Sequence, residues 1–146
     1  MLMYYSEINR FRDEYAWLSN MYGCDIMYNG HSYPSVENAY QAAKCKFDVE
    51  QKIFYTCSAR DAKRFGKHVR MREDFEANKI SIMLDIIRAK FTQNDYLRGK
   101  LIDTYPAKII EGNTWDDHFW GVCNGYGENK LGLCIMKVRD EIMSQM

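Results

Sequence analysis

Apolar and polar positions along the chain change period several times, and each change predicts an element. In CDIMYNGHSY, short runs of β-favouring residues flank Asn29-Gly30, the positive-φ pair that a type I′ hairpin turn demands, so this segment predicts two antiparallel strands. Pro34 ends the second strand and Ser35 can cap a helix to about Lys46, where Val36, Tyr40, Ala43 and Phe47 recur on one face. That spacing predicts an amphipathic helix. Ser58 with Asp61 three residues on has the layout of a capping box, and Gly66 reads as the C′ residue closing a short helix in SARDAKRFG. From about Glu73 to Phe91, the residues Ile80, Met83, Leu84, Ile87 and Phe91 predict the longest helix and place its stripe at the centre of the core. A further helix is predicted around Asp95 to Asp103, a short strand over Ala107 to Glu111, a Gly/Asn-rich irregular loop over 112–129, and a closing helix from Lys130 to Met143. The expected fold class is α+β, helix-dominated, with a small antiparallel sheet.

Composition narrows the function classes. The 146 residues suffice for one domain with a working core, and with neither repeat nor linker the expectation is a single domain, 1–146. Lys+Arg and Asp+Glu are both 20, so a wholesale electrostatic grip on nucleic acid is not expected and any anion site must be local. No apolar run approaches the roughly 18 residues of a membrane span, and MLMYYSEINR lacks the layout of a signal peptide; no membrane partner and a cytoplasmic location are expected. The five cysteines, an odd number without a C-x-x-C pair, fit neither a disulfide framework nor a zinc site and are expected to be reduced thiols. His31, His68 and His118 are isolated, so no catalytic metal is expected, and no cofactor motif of the G-x-G-x-x-G or P-loop kind is present.

Three stretches can carry chemistry. Glu37, Gln41 and Lys44 stand at i, i+4 and i+7 and project from one helix face, about 100° from the apolar stripe. They form either a solvated face with ordinary intrahelical contacts or one wall of a cleft beside the helix start. Between Arg60 and Arg72 lie six basic residues, including Lys63 and Arg64, against the single acid Asp61: a solubilising surface, or a clamp for phosphate. The segment EGNTWDDHFWGVCNGYGENKLG combines Trp115, Phe119, Trp120 and Tyr126 with Asp116, Asp117, Asn124, Asn129 and five glycines, a composition suited to stacking on a base and holding sugar hydroxyls. The plainer alternative has Trp120 anchoring the loop and Asp117 capping a turn.

Taken in order, Leu18-Ser19-Asn20, YPSVENAYQAAK, SARDAKRFG, the helix ending RAKF, and FWG with ENKLGLCIMKVR resemble the NADAR (YbiA-like) family from about Ile8 to Arg139. The resemblance implies an α+β domain that acts as an N-glycosidase on phosphorylated ribosides of riboflavin biosynthesis, or as a hydrolase removing ADP-ribose from guanine bases. Nucleic acid would then enter only as a modified substrate. By the same resemblance the essential acid falls on Glu37, the helix lysine on Lys44, the acid before the aromatic-Trp-Gly on Asp117, the tryptophan on Trp120 and the loop asparagine on Asn129. Asn20 and Lys63 or Arg64 match positions expected to touch ribose and phosphate, while Gln41 and Phe75 are expected beside the substrate. Two positions depart from the family pattern: Asn38 stands where many members have His, and Phe75 where they have Trp.

Breaking an N-glycosidic bond builds positive charge at C1′ and negative charge on the departing base, so a carboxylate and a proton source are needed. Glu37 and Asp117 fit those needs. Two routes stay open at this level: direct attack of water on an oxocarbenium-like state, and attack by the Lys44 amine to give a Schiff base.

Overall fold

The computed structural model describes residues 6–146, so half of the N-terminal segment read for a leader lies outside the described residues. The fold is α+β and helix-dominated, as expected, with α-helices α1 Val36–Lys44, α2 Asp48–Gln51, α3 Ala59–Phe65, α4 Phe75–Gln93, α5 Asp95–Asp103 and α6 Lys130–Ser144. Strands are short: β1 Glu7–Ile8, β2 Ile26–Tyr28, β3 His31–Tyr33 and β4 Lys108–Ile109. Among the described residues no helix is long and apolar enough to cross a membrane. The described residues form two compact units, one of Asn20–Gln93 and one of residues 6–19 with Asn94–Met146.

In the unit Asn20–Gln93, β2 and β3 pair antiparallel with Ile26 opposite Tyr33, turned by Asn29 at φ 50° and Gly30 at φ 81°. This is the hairpin that Asn-Gly dictates, because only such residues occupy the left-handed region cheaply. Ser35 caps α1, its hydroxyl accepting from the Asn38 backbone N–H at 3.1 Å, a contact worth about 1 kcal/mol. The helix is not amphipathic. Every residue from Val36 to Ala43 is buried, while Phe47, assigned to the apolar face, lies beyond the helix end and is 44% exposed. Ala39, Ala42 and Ala43 let α3, α4 and the 3₁₀ turn Lys52–Tyr55 close in around α1, so polar side chains on the helix are enclosed too.

The stripe of α4 is also shifted from the expected one. Phe75, Ile82, Met83, Ile86, Ile87, Lys90 and Phe91 are buried, whereas Ile80 is 41% exposed and Leu84 is only half-buried. The reason is Lys90. A lysine occupies a fully buried position on this face, and a count of apolar residues alone rotates the stripe away from it.

In the other unit, β1 runs parallel to β4 with Ile8 opposite Ile109, so the antiparallel hairpin is accompanied by a second, parallel pair. The strand expected over Ala107 to Glu111 shortens to β4, and α5 and α6 fall where the pattern placed them. Arg139 of α6 is buried and donates to Thr104 Oγ1 at 3.0 Å and to the Ala107 carbonyl at 2.8 Å, tying the helix to the segment entering β4. All five cysteines are free thiols.

Candidate active site

Helix α1 carries the polar cluster. Glu37, 9% exposed, accepts a hydrogen bond at Oε2 from Gln41 Nε2 at 2.6 Å, the i, i+4 contact expected on one helix face. Its backbone N–H donates to the Asn20 carbonyl at 3.0 Å, which satisfies one of the donors a helix start leaves free. Burial pushes the Glu37 carboxyl above the usual carboxylate range, opposed by the Gln41 hydrogen bond and by the charges of Lys63 and Lys44. On Lys44, burial holds the ammonium below the ordinary lysine value, opposed by the charges of Glu37 and Glu76. Lys44 Nζ also stands 5.8 Å from the centre of the Tyr40 ring. An acid held above its ordinary range and an amine held below its own therefore sit on one helix. The solvated-face alternative is excluded by this enclosure.

The surroundings of the cluster are built from neighbouring elements. Asn38 is fully buried; its Nδ2 donates to the carbonyls of Phe54 at 2.9 Å and Cys57 at 2.8 Å, so it pins the segment leading to α3 against α1. Lys63 on α3 is exposed and acts on Glu37 through its charge. Arg64, the next residue, points elsewhere along the helix surface, pairing with Asp61 at 2.9 Å and lying 5.0 Å from the Phe65 ring centre. Asn20 directs Nδ2 to Met83 Sδ at 3.6 Å, and its buried Oδ1 has no partner among the described residues. Phe75, the aromatic expected beside the substrate, is fully buried and meets Tyr40 edge-on at 5.4 Å.

The aromatic loop belongs to the other unit. Asp117 Oδ1 accepts the backbone N–H groups of Phe119 at 3.0 Å and Trp120 at 2.8 Å, so the carboxylate caps the turn that presents the half-buried Trp120. Asn129 is buried at the start of α6 with φ 54°. Its Oδ1 accepts from the Glu111 N–H at 2.9 Å and its Nδ2 donates to the Ile109 carbonyl at 3.0 Å, so the side chain serves as a strand partner for the end of β4. The structure thus gives Asp117 and Asn129 backbone-holding contacts, and it groups Glu37, Gln41, Lys44 and Lys63 within one unit.

The NADAR domain family matches residues 4–143 of the chain, a span that runs through both units. The chain belongs to the NADAR family. Among NADAR relatives it is similar to the N-glycosidase YbiA of Shigella boydii, 34% identical over 134 residues that cover 89% of this chain and 83% of the relative. It is also similar to a riboflavin biosynthesis protein of Vibrio vulnificus, 33% identical over 136 residues, covering 89% of this chain and 36% of that longer protein. The NMR structure of YbiA from Escherichia coli superposes with a TM-score of 0.85 at 30% identity, covering 97% of this chain and 88% of that one.

Two residues of this NADAR chain carry roles that sequence spacing did not assign. Lys90 is fully buried, its ammonium lowered to about 8 by burial with Cys24 opposing, and its Nζ lies 5.7 Å from the Tyr22 ring centre. Gly66 is the other. It adopts ordinary right-handed helical backbone, so it is not the left-handed C′ residue expected; a Cβ there would collide with Gln41 Oε1 and Cδ. Glycine is required because the Gln41 amide packs on it. Gly66→Ala is therefore expected to cost about 1–3 kcal/mol in thermal unfolding, the usual penalty of overpacking. The same change displaces the Gln41 donor, and loss of that hydrogen bond is expected to raise the Glu37 carboxyl further.

Proposed function

We propose that the chain hydrolyses the bond between a nitrogen base and ribose C1′ in a phosphorylated riboside of the kind met as riboflavin intermediates. It is a glycosidase-class enzyme on its likeness to relatives named N-glycosidase, and the riboflavin-related relative supports a small-molecule riboside as substrate. The observation that carries the reading is Glu37: buried, protonated more readily than an ordinary carboxylic acid, and held in place by Gln41. A departing base needs a proton, and an acid whose pKa is raised towards neutrality supplies one.

Lys44 completes the chemistry. Its neutral amine attacks C1′, the C1′–N bond breaks with its electron pair on the base, and the base takes the Glu37 proton. The new C–N centre returns a proton to Glu37, the ring oxygen leaves C1′ and takes that proton from Glu37, and an iminium forms. Water then adds to the iminium carbon, Glu37 takes a proton back, and the open sugar leaves with the amine restored. Asn20 Oδ1, buried without a partner, is suited to accept from a ribose hydroxyl. Lys63 and the exposed cations of the Arg60 to Arg72 stretch receive the phosphate. The family match through both units supports one domain over 1–146.

The reading is tested by incubating the full chain with ribosylamino-pyrimidine phosphates, their unphosphorylated forms, NAD, ADP-ribose and guanine-ADP-ribosylated DNA, with base release followed by mass spectrometry. Release from the phosphorylated riboside is expected, with little from the unphosphorylated form. Release from ADP-ribosylated guanine alone would replace the metabolite with modified nucleic acid, and binding without any release would reduce the protein to a binding module.

A further inference from the structure

We propose that Asp116, His118 and Cys123 form a binding site for a divalent metal ion of the Zn²⁺ class in the aromatic loop, independent of the chemistry assigned to Glu37 and Lys44. One carboxylate oxygen, one imidazole nitrogen and one sulfur lie within 4.8 Å of one another. Zinc bonds of about 2.0–2.3 Å set tetrahedral ligands roughly 3.3–3.8 Å apart, so closing the set takes side-chain adjustments on the order of 1 Å. An oxygen, a nitrogen and a thiolate together suit Zn²⁺ or Co²⁺ rather than the oxygen-seeking Mg²⁺ and Ca²⁺.

The loop builds this arrangement deliberately from local parts. Asn124 at φ 53° and Gly125 at φ 84° form a tight turn, across which the Cys123 N–H donates to the Tyr126 carbonyl at 3.0 Å and the Tyr126 N–H to the Cys123 carbonyl at 3.3 Å. The Tyr126 ring stacks on the His118 ring with centres 4.0 Å apart and planes 6° from parallel. The Tyr126 carbonyl also lies 2.9 Å from His118 Nδ1. A carbonyl only accepts, so Nδ1 carries a proton, and Nε2 is the ring atom turned to Asp116 Oδ1, 2.8 Å away. In the metal-free chain a proton on Nε2 bridges the two as an ion pair; a metal ion takes the place of that proton, with the buried Cys123 sulfur as the third donor. A histidine oriented by a backbone carbonyl through its far nitrogen is the usual support of a metal ligand. On binding, the His118 Nε2 proton and the Cys123 thiol proton pass to solvent and metal–nitrogen and metal–sulfur bonds form, with no change of oxidation state.

The test uses the full chain, freed of metal with a chelator and titrated with Co²⁺ in absorbance, then with Zn²⁺ against a chromogenic chelator. One equivalent is expected to bind, with a thiolate-to-cobalt charge-transfer band. Cys123→Ser should remove the band and weaken binding at least about 100-fold, and the exposed Asp116→Asn should weaken it without changing the unfolding temperature of the metal-free protein. Cys57→Ser, which leaves the cluster intact, should bind as the parent does. No bound equivalent would show that Asp116 and His118 form a plain ion pair, and a band that survives Cys123→Ser would place the metal on another thiol; either result overturns the proposal.

Discussion

Glu37→Gln is expected to fold as the parent does and to lose at least about 100-fold in turnover, the low end for a missing acid–base group. The amide keeps the shape of the side chain and can still accept from Gln41, so the hydrogen bond at the helix start survives while the transferable proton does not. Stability supplies the control. The folded carboxyl lies above its unfolded value because burial penalises the anion, so its contribution to stability is complete below the unfolded pKa and is lost as pH rises through the folded one. The variant has no such loss, and above that window it should be at least as stable as the parent. Turnover of the parent should fall over the same window as the acid loses its proton. A folded Glu37→Gln protein that keeps its turnover would remove Glu37 from the chemistry and return attention to Asp117.

Lys44→Arg should abolish turnover together with a covalent adduct. Borohydride added to enzyme and substrate is expected to trap a protein species heavier by the reduced sugar, mapped to the peptide containing Lys44. Burial lowers the Lys44 ammonium and so raises the fraction of free amine, whereas a guanidinium keeps the charge and offers no usable nucleophile. Absence of an adduct with activity retained in Lys44→Arg would favour direct attack of water. An adduct on Lys63 or on the buried Lys90 would move the nucleophile while keeping the imine.

Local chemistry was enough to read much of this protein from its residues. Asn29-Gly30 specifies its turn because few other pairs occupy positive φ, and Ser35 and Ser58 cap their helices through contacts three residues away. Helices α5 and α6 follow from periodicity, and the spacing of Glu37, Gln41 and Lys44 places them on one face because α-helical geometry repeats within a few residues. Identity of the family lay in the order of short motifs. Tertiary packing decided the rest, since burial depends on what closes over a side chain from distant parts of the sequence. It enclosed α1 on all sides, turned Glu37 from a surface charge into a raised acid, and buried Lys90 where an apolar count expected none. It drew Phe75 into the core, made Gly66 a seat for the Gln41 amide, and engaged Asn129 in holding β4. The same folding brought Asp116, His118 and Cys123 to within 4.8 Å, a cluster with no ligand spacing in the sequence because a tight turn and a stacked tyrosine, rather than helical periodicity, bring the donors together.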